Sequence, residues 1–142
     1  MITDAQMQAL VAAARSARER AYAPYSRFQV GAALLDEHGR LHAGCNIENA
    51  AYPQSQCAEA TAIGHLILAG GTRILAAAVV GVAEQPVTPC GGCRQRLREF
   101  AADNCPVWVA DLTTVRARFT LGALLPESFG PQHLPPSAPI PP

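Results

Sequence analysis

Two short motifs constrain this chain more than anything else in it: Cys57-Ala58-Glu59 and, later, Pro89-Cys90-Gly91-Gly92-Cys93. Cys57 opens one proline-free run, and Cys90 and Cys93 bracket the first turn of another. The spacing therefore predicts cysteines at two helix N-termini, and a fold that uses them together must aim both termini at one point. Helix N-termini stabilise negative charge, and thiols placed there ionise more readily. Gly91-Gly92 lets the backbone wrap closely around whatever the sulfurs hold. Three thiolates are a zinc ligand set that leaves the fourth tetrahedral position for water, the arrangement of a catalytic site. Glu59, two residues past Cys57, is placed to move protons at that water.

Duller readings of the same residues stay open at this level. A Cys-x-x-Cys pair at a helix start also suits a redox dithiol, although that leaves Cys57 and Glu59 idle. A structural zinc site wants a fourth protein ligand, and no histidine stands close in sequence to either motif. Cysteines that share a core by coincidence are the third alternative. Cys45 and Cys105 sit in apolar surroundings and are expected as buried free thiols. No disulfide framework is expected, which suggests a reducing compartment.

Around the motifs the pattern alternates between helix and strand. Thr3-Asp4-Ala5-Gln6 reads as a capping box, with Met7, Leu10, Val11 and Ala14 as the apolar stripe of the helix it opens. Residues 28–35 and 40–47 read as two strands joined by the turn Asp36-Glu37-His38-Gly39. Residues 57–69 read as a helix with Ala60, Ile63, Leu66 and Ile67 inward, stopped at Gly70-Gly71. Residues 74–83 are too uniformly apolar to alternate and read as a doubly buried strand. A helix over 91–100 with Leu97 and Phe100 inward, strands over 106–110 and 115–119, and a turn or short helix over 121–125 follow. This is an α/β chain built on a single mixed sheet of about five strands. Residues 1–130 are expected to form one domain, and the proline-rich stretch 131–142 an extended, mobile tail.

Composition narrows the partners. Eleven basic and 11 acidic residues cancel to zero net charge, so no electrostatic footprint for nucleic acid or an anionic membrane is present. The most apolar run, 74–83, is far shorter than the ~20 residues a membrane-spanning helix needs. The N-terminus shows no basic segment followed by an apolar run, so no signal peptide is expected and the cytoplasm is the expected location. A small neutral substrate fits such a surface.

Several separate stretches, in order, carry a family resemblance. They are Tyr25-Ser26-x-Phe28-x-Val30-Gly31-Ala32-Ala33-Leu34, Gly44-Cys45-Asn46-Ile47-Glu48-Asn49-Ala50, Cys57-Ala58-Glu59, Pro89-Cys90-Gly91-x-Cys93-Arg94-Gln95 and Leu124-Leu125-Pro126-x-x-Phe129. Over residues 22–134 the chain resembles the cytidine deaminases of the short, homotetrameric, zinc-dependent type. The resemblance implies their three-layer fold, with the sheet sandwiched by helices. It implies hydrolysis of cytidine and deoxycytidine to uridine and deoxyuridine plus ammonia, in pyrimidine salvage. Cys57, Cys90 and Cys93 would hold one zinc per chain, and Glu59 would carry protons between water, ring N3 and the departing amine. Asn46 and Glu48 would grip the ribose 3′-hydroxyl, Phe28 would pack on the pyrimidine, and the Ala58 N–H would meet the base carbonyl. Tyr52 and Phe129 resemble residues contributed across a subunit boundary. A deaminase of another small aminopyrimidine nucleoside is the nearest alternative, and a zinc-bearing nucleic-acid-editing or binding module is a more distant one. One departure stands out. Relatives commonly place arginine after the catalytic glutamate, whereas this chain has Ala60, which makes Arg94 a candidate to offset the thiolate charge.

Overall fold

The capping box at Thr3 forms as its spacing predicts. The Gln6 N–H donates to the Thr3 hydroxyl at 3.1 Å, and the Thr3 N–H donates to Gln6 Oε1 at 3.0 Å. From this cap α1 runs Asp4–Arg18, with Leu10, Val11 and Ala14 buried. The structure is a computed structural model and describes residues 1–136. Residues 137–142, half of the stretch expected as a mobile tail, lie outside the described residues. Of the other half, Pro131–His133 form a 3-10 turn rather than extended chain.

Five strands make one sheet: β1 (Gly31–Asp36), β2 (Leu41–Cys45), β3 (Ile74–Val80), β4 (Pro106–Ala110) and β5 (Val115–Thr120), in the order β2-β1-β3-β4-β5. β3 and β4 are parallel, and every other neighbouring pair is antiparallel. The crossover between the parallel strands carries α3 (Gly91–Phe100), while α2 (Ala58–Leu68) lies between β2 and β3 in sequence. One face of the sheet packs Ala33, Leu35, Ala76, Ala78 and Val80 on α1. The opposite face packs Leu34, Ala77 and Val107 on Ala62 and Leu66 of α2 and Leu97 of α3. The short α4 (Leu121–Leu124) closes the β5 end through Leu121. This is the mixed α/β sheet between helices that the sequence predicts.

The element boundaries moved for local reasons. The first strand starts at Gly31, not at residue 28, because the backbone at 28–30 is paired by a side chain. Val30 N–H donates to Asn46 Oδ1 at 2.8 Å, and Asn46 Nδ2 donates to the Phe28 carbonyl at 2.8 Å. The second strand ends at Cys45, and Ile47 makes only isolated bridges to Tyr22 and Gln56. β3 stops at Val80, just before Gly81, whose position is packed by Val87 of the following loop. On α2 the deepest residues are Ala58, Glu59, Ala62 and Leu66. Ile63 is only partly buried, Ala60 is half-buried, and Ile67 is exposed. Phe100 of α3 is only partly buried against the core. Cys105 is buried, and Cys45 is half-buried rather than fully covered.

The β1–β2 turn is held by a carboxylate with no exposure at all. Asp36 Oδ1 accepts from the His38 N–H at 2.9 Å and the Arg40 N–H at 2.8 Å. Its Oδ2 accepts from Arg40 Nε at 2.7 Å and meets His42 Nε2 at 2.8 Å. Arg40 Nη1 continues to the Ala69 carbonyl, tying the hairpin to the end of α2. Burial pushes the Asp36 carboxyl up, but the His42 contact and the Arg40 and His38 donors together hold it well below the ordinary carboxylate range. A carboxylate depressed in the folded chain contributes stability above its unfolded pKa and loses it as the pH falls below. Unfolding followed by circular dichroism should therefore show a steep loss of stability below about pH 4. Asp36→Asn should be less stable at neutral pH and flatter in that acid window. Equal acid slopes for the two proteins would remove Asp36 from this role.

Candidate active site

The site lies beyond the end of β3, where the chain leaves a parallel strand and enters a helix, the usual crevice of an open α/β sheet. Two close approaches set its walls. A Cβ on Gly44 would run into the Ala58 carbonyl and the Ala62 N–H, so only glycine lets β2 lie directly on the backbone of α2. That contact fixes the first turn of α2 and with it Cys57 and Glu59. Arg94 braces the other helix. Its guanidinium donates to the Pro89 carbonyl at 2.7 Å, the Leu124 carbonyl at 2.7 Å and Thr88 Oγ1 at 3.0 Å. These bonds lock the loop before α3 against α4. Its donors are spent on the loop and α4, and among the described residues none of its hydrogen bonds reaches a sulfur.

Cys57 is the N-cap of α2 and Cys90 the N-cap of α3, both in extended conformation, and neither sulfur caps its own helix. Cys93 follows in the first turn of α3 and is buried. The three sulfurs lie within 4.8 Å of one another, and Cys57 Sγ is 3.8 Å from Cys90 Sγ. A tetrahedral zinc with bonds of ~2.3 Å has ligand-to-ligand edges of ~3.8 Å, so this donor set fits that ion in both spacing and chemistry. Hydrogen bonding from Cys93 lowers the Cys57 thiol to about 6, against the effect of burial and with help from Cys90. The same hydrogen bond, together with burial, pushes the Cys93 thiol up. A bound metal would displace the proton between the two sulfurs.

Glu59 is only 4% exposed and stands in the first turn of α2, near enough for its charge to oppose ionisation of Cys57 and Cys93. It shares a cavity of about 340 Å³ with Cys57, Cys90, Ala58, Phe28, Asn46 and Glu48. The fold thus brings eight of the ten residues singled out in the sequence to one place, once Cys93 is counted beneath the other two sulfurs. Ala58 is buried at the first position of α2, where a helix leaves its N–H without an internal partner. Asn46 spends one lone pair and one amide hydrogen on Val30 and Phe28, and so holds the Phe28 backbone at the cavity wall. Glu48 Oε1 accepts from the N–H groups of Tyr25 (2.9 Å) and Ser26 (3.1 Å). Ser26 hydrogen bonding keeps this carboxyl below its ordinary pKa, against the opposing effect of desolvation.

Tyr52 and Phe129 do not line this cavity. Tyr52 belongs to an adjoining cavity of about 360 Å³ with Tyr25, Ser26, Glu48 and Ser55, its ring 5.8 Å from that of Tyr25. Phe129 stacks on His133 at 5.1 Å, and its carbonyl accepts from Gln95 Nε2 of α3. The walls also include Val30, Val79, Val87 and Thr88, which sequence reasoning did not single out. Apolar wall residues look like any other core residue, and only their place after β3 could have marked Val87 and Thr88.

Three thiols around one metal position, facing a cavity with a buried carboxylate in the first turn of the helix that Cys57 caps, define a zinc hydrolase that activates water. Residues 4–109 match the family described as the cytidine and deoxycytidylate deaminase zinc-binding region, and the chain belongs to that family. It is 44% identical over 128 residues to a cytidine deaminase of Sporosarcina psychrophila, covering 90% of this chain and 94% of that one. Among solved structures, a cytidine deaminase from Burkholderia pseudomallei superposes with a TM-score of 0.81 at 43% identity, covering 86% of this chain and 98% of the other. The cytidine deaminase of Mycobacterium tuberculosis superposes with a TM-score of 0.77 at 40% identity, covering 90% and 98%. Zinc is the metal of this family, and Cys57, Cys90 and Cys93 are the cluster able to hold it here.

Proposed function

We propose that this chain hydrolyses the 4-amino group of cytidine and deoxycytidine. The observation that carries the reading is one small cavity holding Glu59 and the thiol cluster together with Asn46 and Glu48. Bound zinc supplies an acidified water as the nucleophile. Glu59 takes a proton from the water and passes it to ring N3, then takes the proton of the hydroxyl newly bonded to C4 and delivers it to the departing amine, and its burial keeps bulk water from competing for that task. The Ala58 N–H meets the base carbonyl, Phe28 packs on the pyrimidine, and Asn46 and Glu48 receive the ribose 3′-hydroxyl. Glu48 brings to that contact a carboxylate whose second oxygen is not used by the Tyr25 and Ser26 bonds.

Tyr52 and Phe129 complete a neighbour's site in a homotetramer. Their exposure supports an assembly that covers them. Residues 1–130 are the catalytic domain, and the enzyme serves pyrimidine salvage in the cytoplasm. Among the described residues no helix is long and apolar enough to cross a membrane.

The direct test follows the ultraviolet change of cytidine and deoxycytidine on adding protein, before and after treatment with a strong zinc chelator. Loss of the amine, abolished by the chelator, is expected; no change with either nucleoside would end the proposal. The ribose contact has its own test. Cytidine lacking the 3′-hydroxyl should show kcat/KM lower by roughly 10- to 100-fold, the worth of a hydrogen bond to a charged group. Glu48→Gln keeps an oxygen for the Tyr25 and Ser26 donors and should narrow that gap. Equal rates for the two nucleosides would remove Asn46 and Glu48 from substrate binding.

A further inference from the structure

We infer that Arg96 is the cation that offsets the negative charge of the thiolate centre and strengthens its hold on zinc. The inference rests on the reading of Cys57, Cys90 and Cys93 as the zinc ligands. Three thiolates around a dication leave a net negative centre, and the buried Glu59 adds to it. Ala60, beside Glu59, contributes no charge. The helix N-termini supply partial positive charge only, so a full cation nearby has a strong field to answer.

Of the arginines on α3, Arg94 is committed to Pro89, Leu124 and Thr88, and Arg98 donates to Ser128 and approaches Asp103. Arg96 differs from both. Among the described residues no hydrogen bond or ion pair engages it. Side chains on a helix lean back toward its N-terminus, so position 96 overhangs position 92. The guanidinium does fold back this way, since a Cβ on Gly92 would stand 3.0 Å from Arg96 Nη1. Gly92 lies between Cys90 and Cys93, and Cys90 is the exposed member of the cluster. The glycine leaves the space over the first turn of α3 that the guanidinium occupies.

The test is the zinc affinity of the full-length chain, measured by competition with a chromogenic chelator. Arg96→Gln should weaken zinc binding by about 2- to 5-fold at low salt, the size expected of an exposed charge beside an ionic centre. Arg96→Lys, which returns the charge, should recover most of the affinity. Because the side chain is exposed, the loss should shrink at about 1 M salt, where the screening length is ~3 Å. The thermal midpoint of the zinc-free protein should be the same with Gln or Arg at this position, which sets the effect apart from a structural one. Parent-like affinity of Arg96→Gln at low salt would overturn the inference, as would a loss that neither lysine nor salt alters. Parent protein that takes up no zinc would overturn the ligand assignment as well.

Discussion

Glu59→Gln should lower kcat by about 10²–10⁴-fold while leaving KM for cytidine near that of the parent. The amide has the shape of the carboxylate and can fill the same place in the first turn of α2, so neither the helix nor the cluster of sulfurs needs to move. What it lacks is the capacity to accept a proton and hand it on. Because Glu59 is buried, bulk water reaches the reacting atoms poorly and cannot take over the transfer. Zinc content should be unchanged, since Glu59 is not one of the three clustered sulfur donors. Steady-state kinetics together with elemental analysis separate the cases. A small fall in kcat would show that another group carries the proton. A fall accompanied by loss of zinc would mean that the carboxylate supports the metal instead.

The chemistry of this site was legible in the sequence because cysteine and glutamate carry their function in their side chains, and their spacing relative to helix starts carries the geometry. Cys57, Cys90 and Cys93 stand at the N-termini that the two motifs predict. The fold class was legible for a related reason. The run through β3 is too apolar to belong anywhere but the middle of a sheet, and the capping box at Thr3 marks the start of α1. The start of β1 was not legible. Nothing in the order of residues 28–30 says that an asparagine far along the chain will take the place of a strand partner. The buried face of α2 was obscured by its own hydrophobicity. With Ile63, Leu66, Ile67 and Leu68 nearly consecutive, periodicity cannot choose a face, and the contact with Gly44 chooses Ala58, Ala62 and Leu66. Arg94 and Arg96 show the same limit. Adjacency to Cys93 favours Arg94, yet three acceptors on the loop and α4 claim its guanidinium.

Cys93→Ser should abolish stable zinc binding, and activity with it. Cys93 is the buried member of the cluster, held by α3, whereas Cys90 is exposed and Cys57 half-buried. A serine hydroxyl is a poor substitute, since it does not ionise as a thiol does and is not a soft ligand. The loss should exceed the ~10–100-fold expected for a residue that only supports the ligands. Folding provides a second readout. A metal that binds only the folded chain stabilises it by about 2.7 kcal/mol at a free concentration of 100 times Kd. Chelation should therefore lower the thermal midpoint of the parent and leave that of Cys93→Ser unmoved. Cys105→Ser is the matched control, because Cys105 is also buried but stands apart from the cluster, its thiol pushed up to about 12 by burial. That control should lose some stability through its buried hydroxyl, while its zinc content and its response to the chelator match those of the parent. Full zinc occupancy in Cys93→Ser, with activity intact, would show that Cys57 and Cys90 suffice and that the third sulfur has another purpose.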